Sequence, residues 1–267
     1  MKKKKDLYGK QTIYYARTFR HLQISAKQVL PYFVFFVLPC VLLYLLFYSS
    51  ISWHLANKTL SLLSVVIPAS QMNITVGEFL PFFGGVYSVQ LPGSMPSIKF
   101  VLINIIVSLL LLLASAAMRK SSKAMAIFLR MSLIIHVISC VYFLFWGKYF
   151  PYTLSDYSDL YMKQQIGIWL AFMLVAGMAT GLTVHSGLKK HITFLAILFY
   201  SFVFGCIRYV GFLFLLYKAS SLYMASLFFV LGPFFDFLYL VCIYSYFIKR
   251  VILRYETRKT GVNWQWM

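Results

Sequence analysis

Six apolar runs, each close to the roughly 20 helical residues needed to cross about 30 Å of hydrocarbon, constrain this chain more than any other feature. They fall at about residues 32–50, 100–118, 128–146, 166–184, 192–217 and 222–247. Inside lipid, every main-chain N–H and C=O must find its partner within the segment or in a closed barrel, so runs of this length are read as helices. With 61% hydrophobic and only 12% charged residues, the chain has too little polar surface to fold in water. The expected fold class is an all-α integral membrane protein: a bundle of about six transmembrane helices with a small β-rich extracytoplasmic cap between TM1 and TM2.

The 25 Lys and Arg residues outnumber the 6 Asp and Glu residues. They sit between the apolar runs, where they report orientation rather than nucleic-acid binding. With the N-terminus in the cytoplasm, 19 of the 25 fall on the cytoplasmic side, five on the other side and Arg208 within the fifth run. Both termini are therefore expected in the cytoplasm of a multi-pass protein of the bacterial plasma (inner) membrane. Residues 1–30 form a basic segment in which Tyr14, Phe19 and Leu22 interleave with Arg17, Arg20 and Lys27. Such a segment suits the headgroup region and anionic lipid. Residues 31–50 are TM1, 51–99 the cap, 100–248 the five-helix bundle of TM2 to TM6, and 249–267 a basic cytoplasmic tail. No small-residue cleavage pattern follows the basic start, so TM1 is expected to stay as an anchor.

Outside the spans, residues 73–80 and 86–91 flank Pro81, Gly84 and Gly85, the pattern of a β-hairpin with a Gly-Gly turn. Residues 64–68 are β-branched and add to the expected cap. The sequons at Asn57 and Asn73 are short enough to arise by chance. A second outer loop, residues 148–165, carries Asp156, Asp159, Tyr152, Tyr157 and Tyr161. These are candidates for contact with a glycan or a protein partner, or for an aromatic belt at the membrane surface.

Charges within a span are costly and call for a partner. Arg208 in TM5 and Asp236 in TM6 lie on consecutive antiparallel helices and form the expected intramembrane pair, either a structural lock or the border of a polar cavity. Gly232 and Pro233, one turn before Asp236, are expected to kink that helix. His136 and Asn104 are candidates for a proton relay, a cavity wall or an interhelical hydrogen bond. Gly177 and Gly181 form a GxxxG packing face.

Cys40, Cys140, Cys206 and Cys242 all lie in apolar runs without metal-like spacing, so neither a metal nor a cofactor is expected. The run His185-Ser186-Gly187-Leu188 is similar to the Cys-Ser-Gly-Leu motif of exosortases. It has no cysteine nucleophile and falls on the cytoplasmic side, so that chemistry is not expected. No nucleotide loop or hydrolase motif is present either.

The function implied is that of a non-enzymatic membrane subunit of a bacterial cell-envelope or extracellular-polysaccharide assembly or export system. Its partners would be the lipid bilayer and other membrane proteins, and not nucleic acid. The alternative is a small secondary transporter or permease subunit that uses the Arg208 and Asp236 pair.

Overall fold

A computed structural model describes residues 26–81, 83–116, 123–182 and 188–257. Most of the expected interfacial segment, residues 183–187 with the His185-Ser186-Gly187 run, and residues 258–267 of the tail lie outside the described residues. The described residues are mostly helical and contain a small two-stranded sheet. Among the described residues, six helices are long and apolar enough to cross a membrane, so this is a multi-pass membrane protein in contact with a lipid bilayer.

Helix α1 joins Ala26–Tyr32, a π-helical stretch Phe33–Val37, and Leu38–Leu63. The remaining helices are α2 (Ile98–Ala116), α3 (Lys123–Trp146), α4 (Leu154–Gly181) and α5 (Leu188–Lys218). Helix α6 comprises a π-helical Ser226–Phe234 and Phe235–Thr257.

Two helices run well past the expected spans. Helix α1 continues 13 residues beyond Ser50, to Leu63, because its polar residues bond back to their own helix. Asn57 Nδ2 donates to the Trp53 carbonyl at 2.9 Å and Thr59 Oγ1 to the Leu55 carbonyl at 2.7 Å. Helix α4 starts at Leu154, so most of the expected outer loop at 148–165 is helix. Thr153 and Asp156 form a reciprocal capping box there: Thr153 N–H donates to Asp156 Oδ2 at 2.8 Å, and Asp156 N–H to Thr153 Oγ1 at 3.2 Å.

The sheet pairs β1 (Asn73–Gly77) with β2 (Val86–Gln90) antiparallel, with Asn73 opposite Gln90 and Gly77 opposite Val86. Gly84, at φ 85°, makes the turn that an L side chain resists. Residues 64–68, expected to join the β-rich part, are a turn rather than a strand.

The described residues fall into two compact units. The first takes residues from Met1–Leu42, Ala171–Phe199 and Leu240–Met267, and the second from Leu43–Leu170 and Tyr200–Tyr239. In the first unit, the Gly177 and Gly181 face of α4 is used within the chain. A Cβ on Gly177 would lie 2.6 Å from Val37, and one on Gly181 would lie 3.0 Å from the Tyr32 ring. Tyr32 and Thr180 hydroxyls are 3.0 Å apart and buried, closing the same contact.

In the second unit, helix side chains hold the hairpin, which two strands alone would not stabilise. Tyr48 Oη donates to the Gly84 carbonyl at 2.6 Å and Ser49 Oγ to the Gly85 carbonyl at 2.7 Å. Tyr87 N–H donates to Ser52 Oγ at 3.1 Å, and Leu91 N–H to Ser155 Oγ at 3.2 Å. Val89 N–H donates to Tyr209 Oη at 3.0 Å, and that hydroxyl is 2.7 Å from Ser158 Oγ.

Candidate functional site

The π-helical start of α6 does not run smoothly into the rest of the helix. Gly232 leaves helical geometry at φ −84° and ψ −114°, and Pro233 supplies no N–H. Main-chain carbonyls at the break therefore need other donors, which an apolar surrounding does not provide.

Arg208 on α5 supplies them. Its Nη1 donates to the Leu231 carbonyl and, at 3.1 Å, to the Gly232 carbonyl. Its Nη2 contacts Asp236 Oδ1 at 2.6 Å, Asp236 Oδ2 at 2.7 Å and Gln165 Oε1 at 3.0 Å. Four of the five guanidinium N–H groups are thereby engaged by the protein, leaving only Nε–H. The pair is deeply buried, with 5% of the Arg208 side chain and none of the Asp236 side chain exposed. Phe204, one turn before Arg208, lies under the guanidinium at 5.1 Å. Tyr239, one turn after Asp236, bonds the carboxylate and lies 2.8 Å from Ser201 Oγ.

A second set of polar groups lies on α4. Tyr157, Tyr161 and Gln165 follow one another at i, i+4 and i+8 and so share a helix face, which Gln164 borders. Tyr157 and Tyr161 are 4% and 1% exposed and Gln165 is 1% exposed. The two tyrosine rings stack at 5.7 Å, and Phe228 meets the edges of both. Both hydroxyls lie within electrostatic reach of Arg208, and that of Tyr161 within reach of Asp236 as well.

Five buried atoms here find no hydrogen-bond partner among the described residues: Tyr157 Oη, Tyr161 Oη, Gln164 Oε1, Gln165 Nε2 and Arg208 Nε. One buried unsatisfied group costs about 1–3 kcal/mol. Five approach the whole net stability of a typical domain, about 5–15 kcal/mol, so such a set calls for partners beyond the described side chains.

Two neighbouring clefts lie at this end of α4, and Tyr157 lines the first. One, of about 210 Å³, is lined by Phe150, Tyr152, Tyr157, Leu160, Phe228 and Phe229, among others. The other, of about 340 Å³, shares Tyr152 and Met224 with it and adds the hydroxyls of Ser94, Thr153, Ser155 and Ser221.

The other candidates fall elsewhere in the second unit. His136 Nδ1 is 3.2 Å from Ser226 Oγ, its Nε2 is 3.6 Å from Cys140 Sγ, and its ring stacks on Tyr223 at 5.0 Å. None of these contacts is with Asp236. The first turn of α6 and the turn before it occupy the His136 ring instead. Asn104 Nδ2 bonds its own helix at Phe100, and its Oδ1 accepts from Tyr223 Oη at 2.6 Å.

Two of the expected outer-loop contacts, Tyr157 and Tyr161, need correction. Asp156 caps α4, and Asp159 pairs with Lys163 at 2.6 Å, one turn along the same helix. Tyr157 and Tyr161 are buried, because helical spacing turns both toward the core. Of the three tyrosines proposed, Tyr152 alone is exposed.

Gln164 and Gln165 carry much of this site and are not among the residues that the sequence singles out. The Thr153 and Asp156 capping box was the available signal. Starting the helix there puts two adjacent glutamines in mid-helix, where polar side chains need partners. The chain matches no protein-family model, no curated protein and no solved structure.

Proposed function

We propose that the protein is a non-enzymatic multi-pass subunit of a bacterial cell-envelope or extracellular-polysaccharide assembly or export system. It sits in the plasma (inner) membrane with both termini in the cytoplasm. The excess of Lys and Arg on one side of the spans supports that orientation and puts the hairpin outside.

One observation carries the non-enzymatic reading. The Arg208 guanidinium is engaged by Asp236, Gln165 and the two carbonyls of the α6 break, so its charge serves the fold and is not offered to a substrate. Helix α2 is the least buried of the six, with Ile103, Ile106, Leu110 and Leu113 outward. It is the face proposed for a partner membrane protein. The Gly177 and Gly181 face of α4 is already occupied by this chain's own residues. Exposed Tyr149, Tyr152 and Asp156 are the residues left for a glycan or a secreted partner.

A second reading, a small transporter or permease subunit, is favoured by the unpartnered polar groups beside the broken helix. Purification from its native membrane in mild detergent separates the two. The first reading expects an envelope-assembly membrane protein to copurify in fixed proportion and to be lost on replacing Ile106 and Leu110 with Ala. Recovery of the chain alone, with solute uptake after reconstitution in liposomes, would overturn it.

A further inference from the structure

The five unpartnered atoms lie on a path. Tyr157 lines the 210 Å³ cleft, and Tyr161, Gln164 and Gln165 follow it along α4 toward Arg208 and Asp236. From Tyr157 to Gln165 the helix rises about 12 Å. That length is spanned by about four molecules linked at roughly the 2.8 Å of an O–H···O hydrogen bond.

The chemistry of the atoms selects the occupant. Arg208 Nε–H and the Gln165 amide donate, Gln164 Oε1 accepts, and the two tyrosine hydroxyls do both. Arg208 and Asp236 cancel each other, so the path has no net charge to attract an ion. A Cβ on Gly205 would lie 2.7 Å from Gln165 Nε2, and one on Gly232 would lie 3.1 Å from Gln164 Oε1, so the inner end is narrow. A neutral molecule that donates and accepts and fits such a space is water.

We propose that a file of water molecules runs from the cleft at Tyr157, along Tyr161, Gln164 and Gln165, to the Arg208 and Asp236 pair. The file opens through the cleft at Tyr157 to the hydroxyl-lined one at Ser94, Ser155 and Ser221, which shares Tyr152 and Met224 with it. The file satisfies each group that the protein leaves unpaired, and it brings solvent from one side of the membrane to the break in α6.

The test uses the full-length, unaltered protein in lipid nanodiscs, with X-ray hydroxyl-radical footprinting read residue by residue by mass spectrometry. Radicals formed from bound water oxidise the side chain beside it, even a buried one. Tyr48 and Tyr209 are buried as deeply as Tyr161, but their hydroxyls are bonded to the protein. Tyr161 is expected to be oxidised severalfold faster than either. Oxidation of Tyr161 no faster than that of Tyr48 and Tyr209 would overturn the proposal. So would native mass spectrometry showing a copurifying hydroxylated solute whose removal raises the oxidation of Tyr161, since the path would then hold that solute.

Discussion

Arg208 has two tasks, to neutralise Asp236 and to satisfy carbonyls at the α6 break, and the two respond differently to substitution. Removing one member of a buried ion pair leaves the other charge uncompensated, at about 3–5 kcal/mol. Asp236→Asn is expected to destabilise the protein by that order, and Arg208→Met by more, because the Leu231 and Gly232 carbonyls lose their donor as well. The double variant Arg208→Met with Asp236→Leu is expected to recover most of the loss but not the part owed to the carbonyls. Denaturation of the four proteins in one detergent measures this order. A double variant as unstable as the two single losses combined would contradict the pairing. Tyr209 is a simpler case. Tyr209→Phe leaves Val89 N–H without its acceptor, a loss of about 1–3 kcal/mol. The expected readout is faster deuterium exchange at the β2 amides, with the exchange of α3 unchanged.

At the scale of elements, the six helices were legible because each run is long, apolar and bounded by basic or turn-forming residues. Their ends were less so. Polar residues beyond Ser50 read as loop, yet Ser52, Asn57 and Thr59 satisfy themselves against carbonyls three or four residues back and so extend α1 to Leu63. Hydropathy placed the fourth helix at 166, whereas the capping box begins it at Leu154. That displacement hid the site, since Tyr157, Tyr161, Gln164 and Gln165 share a face only once they belong to a helix. The Arg208 and Asp236 pairing was legible from cost alone. The engagement of the Leu231 and Gly232 carbonyls was not, because sequence does not reveal which main-chain groups a kink releases. The cap itself is testable: Thr153→Ala is expected to cost about 1 kcal/mol. The loss should appear as faster amide exchange confined to the first turn of α4, and a global loss of protection would contradict this role.

For the whole molecule, the placing of basic residues between the spans carries the proposed orientation. In the first unit, Lys189 and Arg250 line a cleft of about 380 Å³ with Ile192, Ala196, Ile243 and Phe247. Under the proposed orientation these two cations, over an apolar floor, lie on the cytoplasmic side. Orientation underlies that assignment, the outward hairpin and the side to which the Tyr157 cleft opens. It is tested most directly by labelling single cysteines with a membrane-impermeant maleimide in intact cells. The background would have Cys40, Cys140, Cys206 and Cys242 replaced by Ala, and the probes would be the exposed positions Val65 and Leu188. Val65→Cys is expected to be labelled in intact cells and Leu188→Cys only after permeabilisation. Labelling of Leu188→Cys in intact cells, with Val65→Cys protected, would contradict the proposed orientation.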